Sequence, residues 1–118
     1  MGMTEVKLTI KNPYNGKKGI TGDFLVDSGA AYTVVPAAMV AKLNLKPRFK
    51  REFTLADGKK VTRQIGDAVI QFGNEEIATP IILGQKDDSP LLGVLTLETF
   101  GLALDPFRRK LYKAKMML

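Results

Sequence analysis

Phe24-Leu25-Val26-Asp27-Ser28-Gly29-Ala30-Ala31-Tyr32-Thr33-Val34-Val35 is the stretch on which the fold turns. Three apolar residues in unbroken succession read as the end of a buried strand, and Asp27-Ser28-Gly29 stops the run with residues that favour a turn. The strand would begin near Ile20. Upstream, Val6-Lys7-Leu8-Thr9-Ile10 alternates apolar with polar, as a strand with one buried face should, and Asn12-Pro13-Tyr14-Asn15-Gly16 supplies the connecting turn. A hairpin therefore delivers Asp27 to a loop.

Downstream, Ala37, Ala38, Met39, Val40 and Ala41 follow Pro36, which suits a first helical turn, so one short helix is expected from Pro36 to Leu43. Beta signals then return. Phe53-Thr54-Leu55 and Val61-Thr62-Arg63-Gln64-Ile65 flank the turn dipeptide Asp57-Gly58, and residues 68–72 pair with 77–83 across Gly73-Asn74-Glu75-Glu76. Leu91-Leu92-Gly93 is a second apolar run closed by glycine, with Val94 to Phe100 offering about two helical turns. Two last short strands are expected at residues 102–106 and 110–114. Many short strands with frequent turns predict an all-β domain, a small closed barrel with one or two short helices, and residues 1–118 read as one domain.

What is missing narrows the chemistry. The 118 residues contain no His, no Cys and no Trp. A cysteine nucleophile is excluded, a Ser-His-Asp relay lacks its imidazole, and the usual zinc ligands are absent. The two serines, Ser28 and Ser89, are not in a Ser-x-x-Lys pattern. Hydrolysis by this chain would fall to carboxylates, without metal or cofactor. No apolar run nears the ~20 residues that cross a bilayer and the first residues lack a signal-peptide plan, so a soluble, cytoplasmic chain is expected. The net charge of +6 draws on two basic clusters, at residues 46–51 and 108–115. Without interleaved aromatics these read as solvated surface, and nucleic acid is not expected as a partner.

A carboxylate at the end of a rigid strand, followed by a small hydroxyl residue and glycine, suits acid-base work. The strand fixes Asp27, Ser28 can brace the turn through its hydroxyl, and Gly29 allows a tight turn and exposes its N–H. The other carboxylates read as structural. Asp57 and Asp105 are turn residues, Asp23 faces solvent, and the Asp87-Asp88 pair sits in a surface loop.

The segment from Phe24 to Val35 resembles the active-site segment of retroviral-type, retropepsin-like aspartic peptidases: two apolar residues, Asp, Ser or Thr, Gly, Ala, and a further Thr at Thr33. Leu91-Leu92-Gly93 before a short helix is similar to that family's second motif. The hairpin tip Ala56-Asp57-Gly58-Lys59 lies where the family has its substrate-covering flap, although it is charged here rather than glycine-rich. The resemblance spans about residues 6–105. It implies that Asp27 is catalytic, that Ser28, Gly29, Ala30 and Thr33 support the loop, and that the Ser28 hydroxyl ties two active-site loops together across a two-fold axis.

Peptide hydrolysis by this route needs two carboxylates on one water, and the chain carries one motif. A homodimer that sets Asp27 beside its symmetry mate supplies the second, with the segments from Met3 to Ile10 or Lys110 to Met116 as candidates for the dimer sheet. The expected activity is aspartic endopeptidase cleavage of a polypeptide substrate. The competing expectation is a dimeric peptide-binding module of the same fold that does not cleave.

Overall fold

The computed structural model describes residues 4–16 and 18–118, so Met3, named above as one end of a candidate dimer strand, lies outside the described residues. Nine strands and two short helices follow one another along the described chain. β1 (Glu5–Lys11) and β2 (Ile20–Val26) form the first hairpin, antiparallel from Glu5 opposite Leu25 to Ile10 opposite Ile20. Alternation puts Leu8, Ile10, Phe24 and Val26 inside, as the pattern requires. In the turn, the Asn12 side-chain oxygen accepts the Tyr14 N–H at 2.7 Å.

β3 (Thr33–Val35) leads into α1 (Ala37–Leu43). Pro36 stands just outside this helix as its cap, in extended conformation, rather than within the first turn. β4 (Pro47–Thr54), β5 (Lys60–Phe72) and β6 (Glu75–Leu83) then form an antiparallel meander. Two of these strands differ from expectation, β4 because it already starts at Pro47 rather than near Phe53. β5 is one continuous strand of 13 residues where two segments were read. Gly66 carries the backbone across the gap, because a Cβ there would meet the Lys46 carbonyl oxygen at 2.5 Å. The basic cluster at 46–51 mostly lies within β4, an edge strand, and lysines on an edge discourage further pairing.

β7 (Leu91–Leu92), α2 (Val94–Thr99), β8 (Leu102–Asp105) and β9 (Lys110–Lys113) complete the chain. The main sheet runs β1-β2-β7-β3-β6-β5-β4, and β1 also pairs with the far end of β5 at residues 69–71. The ring of pairings thus closes, and β4 hangs off it beside β5. Inside lie Leu8, Ile10, Phe24, Ile70, Ile81 and Leu92, each no more than 2% exposed. A second cluster of Val34, Ile65 and Ile82 packs with Tyr32, Phe53 and Leu91. β8 and β9 form a separate two-stranded sheet against α2.

Candidate active site

β2 and β7 are parallel, with Leu25 opposite Leu91 and Val26 opposite Leu92, while Val34 of β3 pairs with Leu91 from the other side. The short Leu91-Leu92 run is therefore wedged between the strands entering and leaving the Asp27 loop. Both residues are apolar because their side chains pack on opposite faces, Leu92 into the main core and Leu91 against the Val34, Ile65 and Ile82 cluster. The Asp27 N–H donates to the Leu92 carbonyl at 3.0 Å, which extends the ladder to the carboxylate-bearing residue itself.

The loop closes on Asp27. Its Oδ1 accepts the Gly29 N–H at 2.9 Å, and its backbone carbonyl accepts the Ala30 N–H at 3.1 Å. One carboxylate oxygen is thereby fixed and Oδ2 has no partner among the described residues. Asp27 is half-buried and Ser28 and Gly29 are exposed. Two details differ from the sequence reading. The Ser28 hydroxyl does not brace the turn, having no hydrogen bond among the described residues. The Gly29 N–H is not presented outward but spent on Asp27, and a Cβ at Gly29 would lie 3.2 Å from that same Oδ1.

Thr33 ties the two motifs together. Its hydroxyl accepts the Gly93 N–H at 3.1 Å and shares a 2.5 Å hydrogen bond with the Thr96 hydroxyl, both threonines being fully buried. Gly93 fits because a Cβ would fall 2.4 Å from the Tyr32 carbonyl carbon and oxygen. From the other direction, the first N–H groups of α2, at Val94 and Leu95, donate to the Ala30 and Ala31 carbonyls at 2.8 and 3.0 Å. The helix thus satisfies its own orphan donors on the loop it supports. Thr96 was not among the expected support residues. Its position within the apolar run 94–100 was the available signal, since a buried threonine there needs a partner.

A cleft of about 340 Å³ opens beside the loop, lined by Gly29, Ala30 and Tyr32 on one side and by Phe53, Leu55 and Val61 of the β4–β5 hairpin on the other. Tyr32 and Phe53 meet edge to face with centroids 5.9 Å apart, joining floor to hairpin. Ala56, Asp57, Gly58 and Lys59 form the hairpin tip: Gly58 has φ +89°, Asp57 Oδ1 accepts the Lys59 N–H at 2.9 Å, and the Leu55 N–H reaches the Lys59 carbonyl at 2.7 Å. Asp57 is explained as a turn residue, as expected.

Asp88 is not the surface residue that the sequence suggested. It lines the cleft and binds Arg63 through two hydrogen bonds of 2.7 and 2.9 Å, with side chains 23% and 19% exposed respectively. Its Oδ2 also accepts the Gln85 N–H at 2.8 Å. The Arg63 fork holds the Asp88 carboxyl below its ordinary range against the opposing effect of burial, and the Gln85 N–H adds to the lowering. Arg63 is raised in turn, chiefly by the same hydrogen bonds.

Among solved structures, "EIAV protease complexed with the inhibitor HBY-793" superposes over 99% of this chain and 94% of its own, with a TM-score of 0.63 and 18% identity. At that identity the likeness establishes the fold. No curated protein matches the sequence. The family described as "gag-polyprotein putative aspartyl protease" matches residues 14–99, which hold Asp27, the β4–β5 hairpin, Leu91-Leu92-Gly93 and α2. With its main motifs inside that match and a retropepsin fold around them, the chain belongs to the gag-polyprotein aspartyl protease family.

Proposed function

We propose that this protein is an aspartic endopeptidase, one peptidase domain per chain, whose working form is a homodimer with Asp27 of each subunit at a shared two-fold axis. The observation that carries the reading is the state of Asp27. It ends a doubly flanked strand beside the cleft, with Oδ1 held by Gly29 and Oδ2 unpartnered among the described residues. One such carboxylate per chain is half of what water activation requires.

In the dimer, two adjacent carboxylates hold one proton between them, because like charges at close range do not both ionise. The ionised member takes a proton from water as its oxygen attacks the peptide carbonyl carbon, and the protonated member gives its proton to the carbonyl oxygen. The resulting tetrahedral intermediate collapses with breakage of the C–N bond and protonation of the leaving amine, without an acyl-enzyme. The exposed Ser28, whose hydroxyl is unused among the described residues, suits the cross-axis contact, and Gly29 and Ala30 present substrate-facing backbone. Exposed Phe107, Tyr112, Met116 and Met117, with the open edge of β9, favour the C-terminal segment for the dimer sheet. The β4–β5 tip serves as the flap. No helix among the described residues is long and apolar enough to cross a membrane, and we assign the activity to the cytoplasm.

The test is cleavage of an unstructured polypeptide from acidic to neutral pH by wild type and Asp27→Asn, with the oligomeric state of each measured by sedimentation. Cleavage by the wild-type dimer and its loss in an equally dimeric variant supports the shared dyad. Equal activity of both, or none in either, refutes it, and peptide binding without cleavage would identify a recognition module instead.

A further inference from the structure

The β4–β5 hairpin is most basic in its half nearer the tip and in the residue leading into it. Residues 46–63 contain seven basic side chains and two acidic ones, a net +5, against +6 for all 118 residues. Cation placement within the hairpin is also uneven. Phe53 of β4, Leu55 just beyond it, and Val61 and Arg63 of β5 line the cleft, so positions 49, 51, 53 and 55 share one face with 61 and 63. On the opposite face, Lys60 lies 3.7 Å from Glu52.

On the cleft face, Arg51 stands directly across from Arg63, and Phe53 across from Val61. Arg63 is neutralised by Asp88, while Arg51, the other member of this like-charged pair, has no ion pair among the described residues. Its guanidinium sits 5.0 Å over the Phe49 ring, a contact that orders the side chain without discharging it. Beyond the Phe53/Val61 pair comes Leu55, whose N–H bonds the Lys59 carbonyl, and the Lys59 ammonium has no ion pair among the described residues. An apolar stripe facing the cleft is thus bracketed by two cations that have no ion pair among the described residues.

We infer that the hairpin selects acidic polypeptides: substrates in which Asp or Glu flanks the apolar side chain that fills the cleft, with Arg51 and Lys59 as the specificity-determining residues. This rests on the peptidase reading for its catalytic consequence but not for its binding consequence. A polypeptide is favoured over nucleic acid because the cations frame an apolar stripe with Phe53 fixed edge-on to Tyr32, leaving no open row of aromatic faces for stacked bases. Arg51 and Lys59 are exposed at the edges of that stripe, where charges discriminate between partners more than they add affinity.

The experiment uses fluorescence anisotropy with catalytically disabled Asp27→Asn protein and a labelled peptide having glutamates on either side of a Leu-Phe core, its Gln-for-Glu analogue, and a single-stranded oligonucleotide. Cleavage of the two peptides by wild type is measured in parallel. We expect the acidic peptide to bind about fivefold tighter than the neutral one at low salt, with the ratio falling as salt shortens the range of the charges. In Arg51→Gln/Lys59→Gln the ratio should drop to near one, and Arg51→Glu/Lys59→Glu should invert it. Equal binding of both peptides by the parent protein, or a ratio unmoved in the double variants, overturns the inference, as does tighter competitive binding of the oligonucleotide. A preference in binding without wild-type cleavage supports the inference while refuting the peptidase reading, so the two failures are distinguishable.

Discussion

Arg63 of β5 and Asp88 of the loop before β7 form a two-bonded fork, Nε to Oδ2 at 2.7 Å and Nη2 to Oδ1 at 2.9 Å, that ties the cleft-lining hairpin to the cleft wall. The planar guanidinium matches the carboxylate, and the Gln85 N–H donates a further hydrogen bond to Oδ2, so the joint is directional as well as charged. Asp88→Asn removes the charge but little volume. We expect a stability loss of about 1–2 kcal/mol at neutral pH in urea unfolding.

The same pair predicts a pH dependence with a definite sign. Asp88 is held below its ordinary value of 3.8 in the folded protein, so the unfolded chain takes up its proton first as pH falls. The contribution is fully present above the ordinary carboxylate range and disappears as pH drops through that value to the depressed one. Unfolding midpoints of wild type and Asp88→Asn should therefore differ at neutral pH and converge in strong acid. A constant gap across the titration would show that charge is not the source.

Thr33→Val would strand two buried groups at once, the Gly93 N–H and the Thr96 hydroxyl. A loss of about 2–3 kcal/mol follows, larger than that of Thr96→Val, where Thr33 keeps the Gly93 donor. The double variant should cost less than the sum of the singles, since each partner is already stranded by removal of the other. A denaturant-based double-mutant cycle reads all three values.

Gly93→Ala tests the close approach of the two motifs. Its Cβ would lie 2.4 Å from backbone atoms of Tyr32, which are no flexible side chain and cannot step aside. We expect about 3 kcal/mol of destabilisation, visible as a lowered Tm, and displacement of the Asp27 loop detectable as shifted amide resonances for Ala30 and Ala31.

Phe53→Leu removes the edge-to-face contact with Tyr32 while keeping an apolar side chain. Loss of about 0.5–1.5 kcal/mol is expected, with faster hydrogen exchange concentrated in residues 53–63. Uniform acceleration across the ring of strands would mean that Phe53 supports the core rather than the hairpin alone.

Much of this architecture was legible in the residue order. The Val6–Ile10 alternation, the Ile20–Val26 run ending at Asp27 and the Leu91-Leu92-Gly93 segment before a helix all appear in the structure where the sequence put them. These features are local: period, turn chemistry and helix start are set by neighbours in the chain. The continuity of β5 was not legible, because Gly66 looks like an interruption until Lys46 is seen to press against it. Nor were the pairings of Arg63 with Asp88 and Thr33 with Thr96, whose partners lie 25 and 63 residues apart. What the sequence by itself determined is the carboxylate, its loop and the all-β plan. Only the tertiary structure decided which buried hydroxyl supports that loop, which arginine of the hairpin is paired with an aspartate, and which aspartate is structural, because each depends on what long-range strand pairing brings within hydrogen-bonding distance.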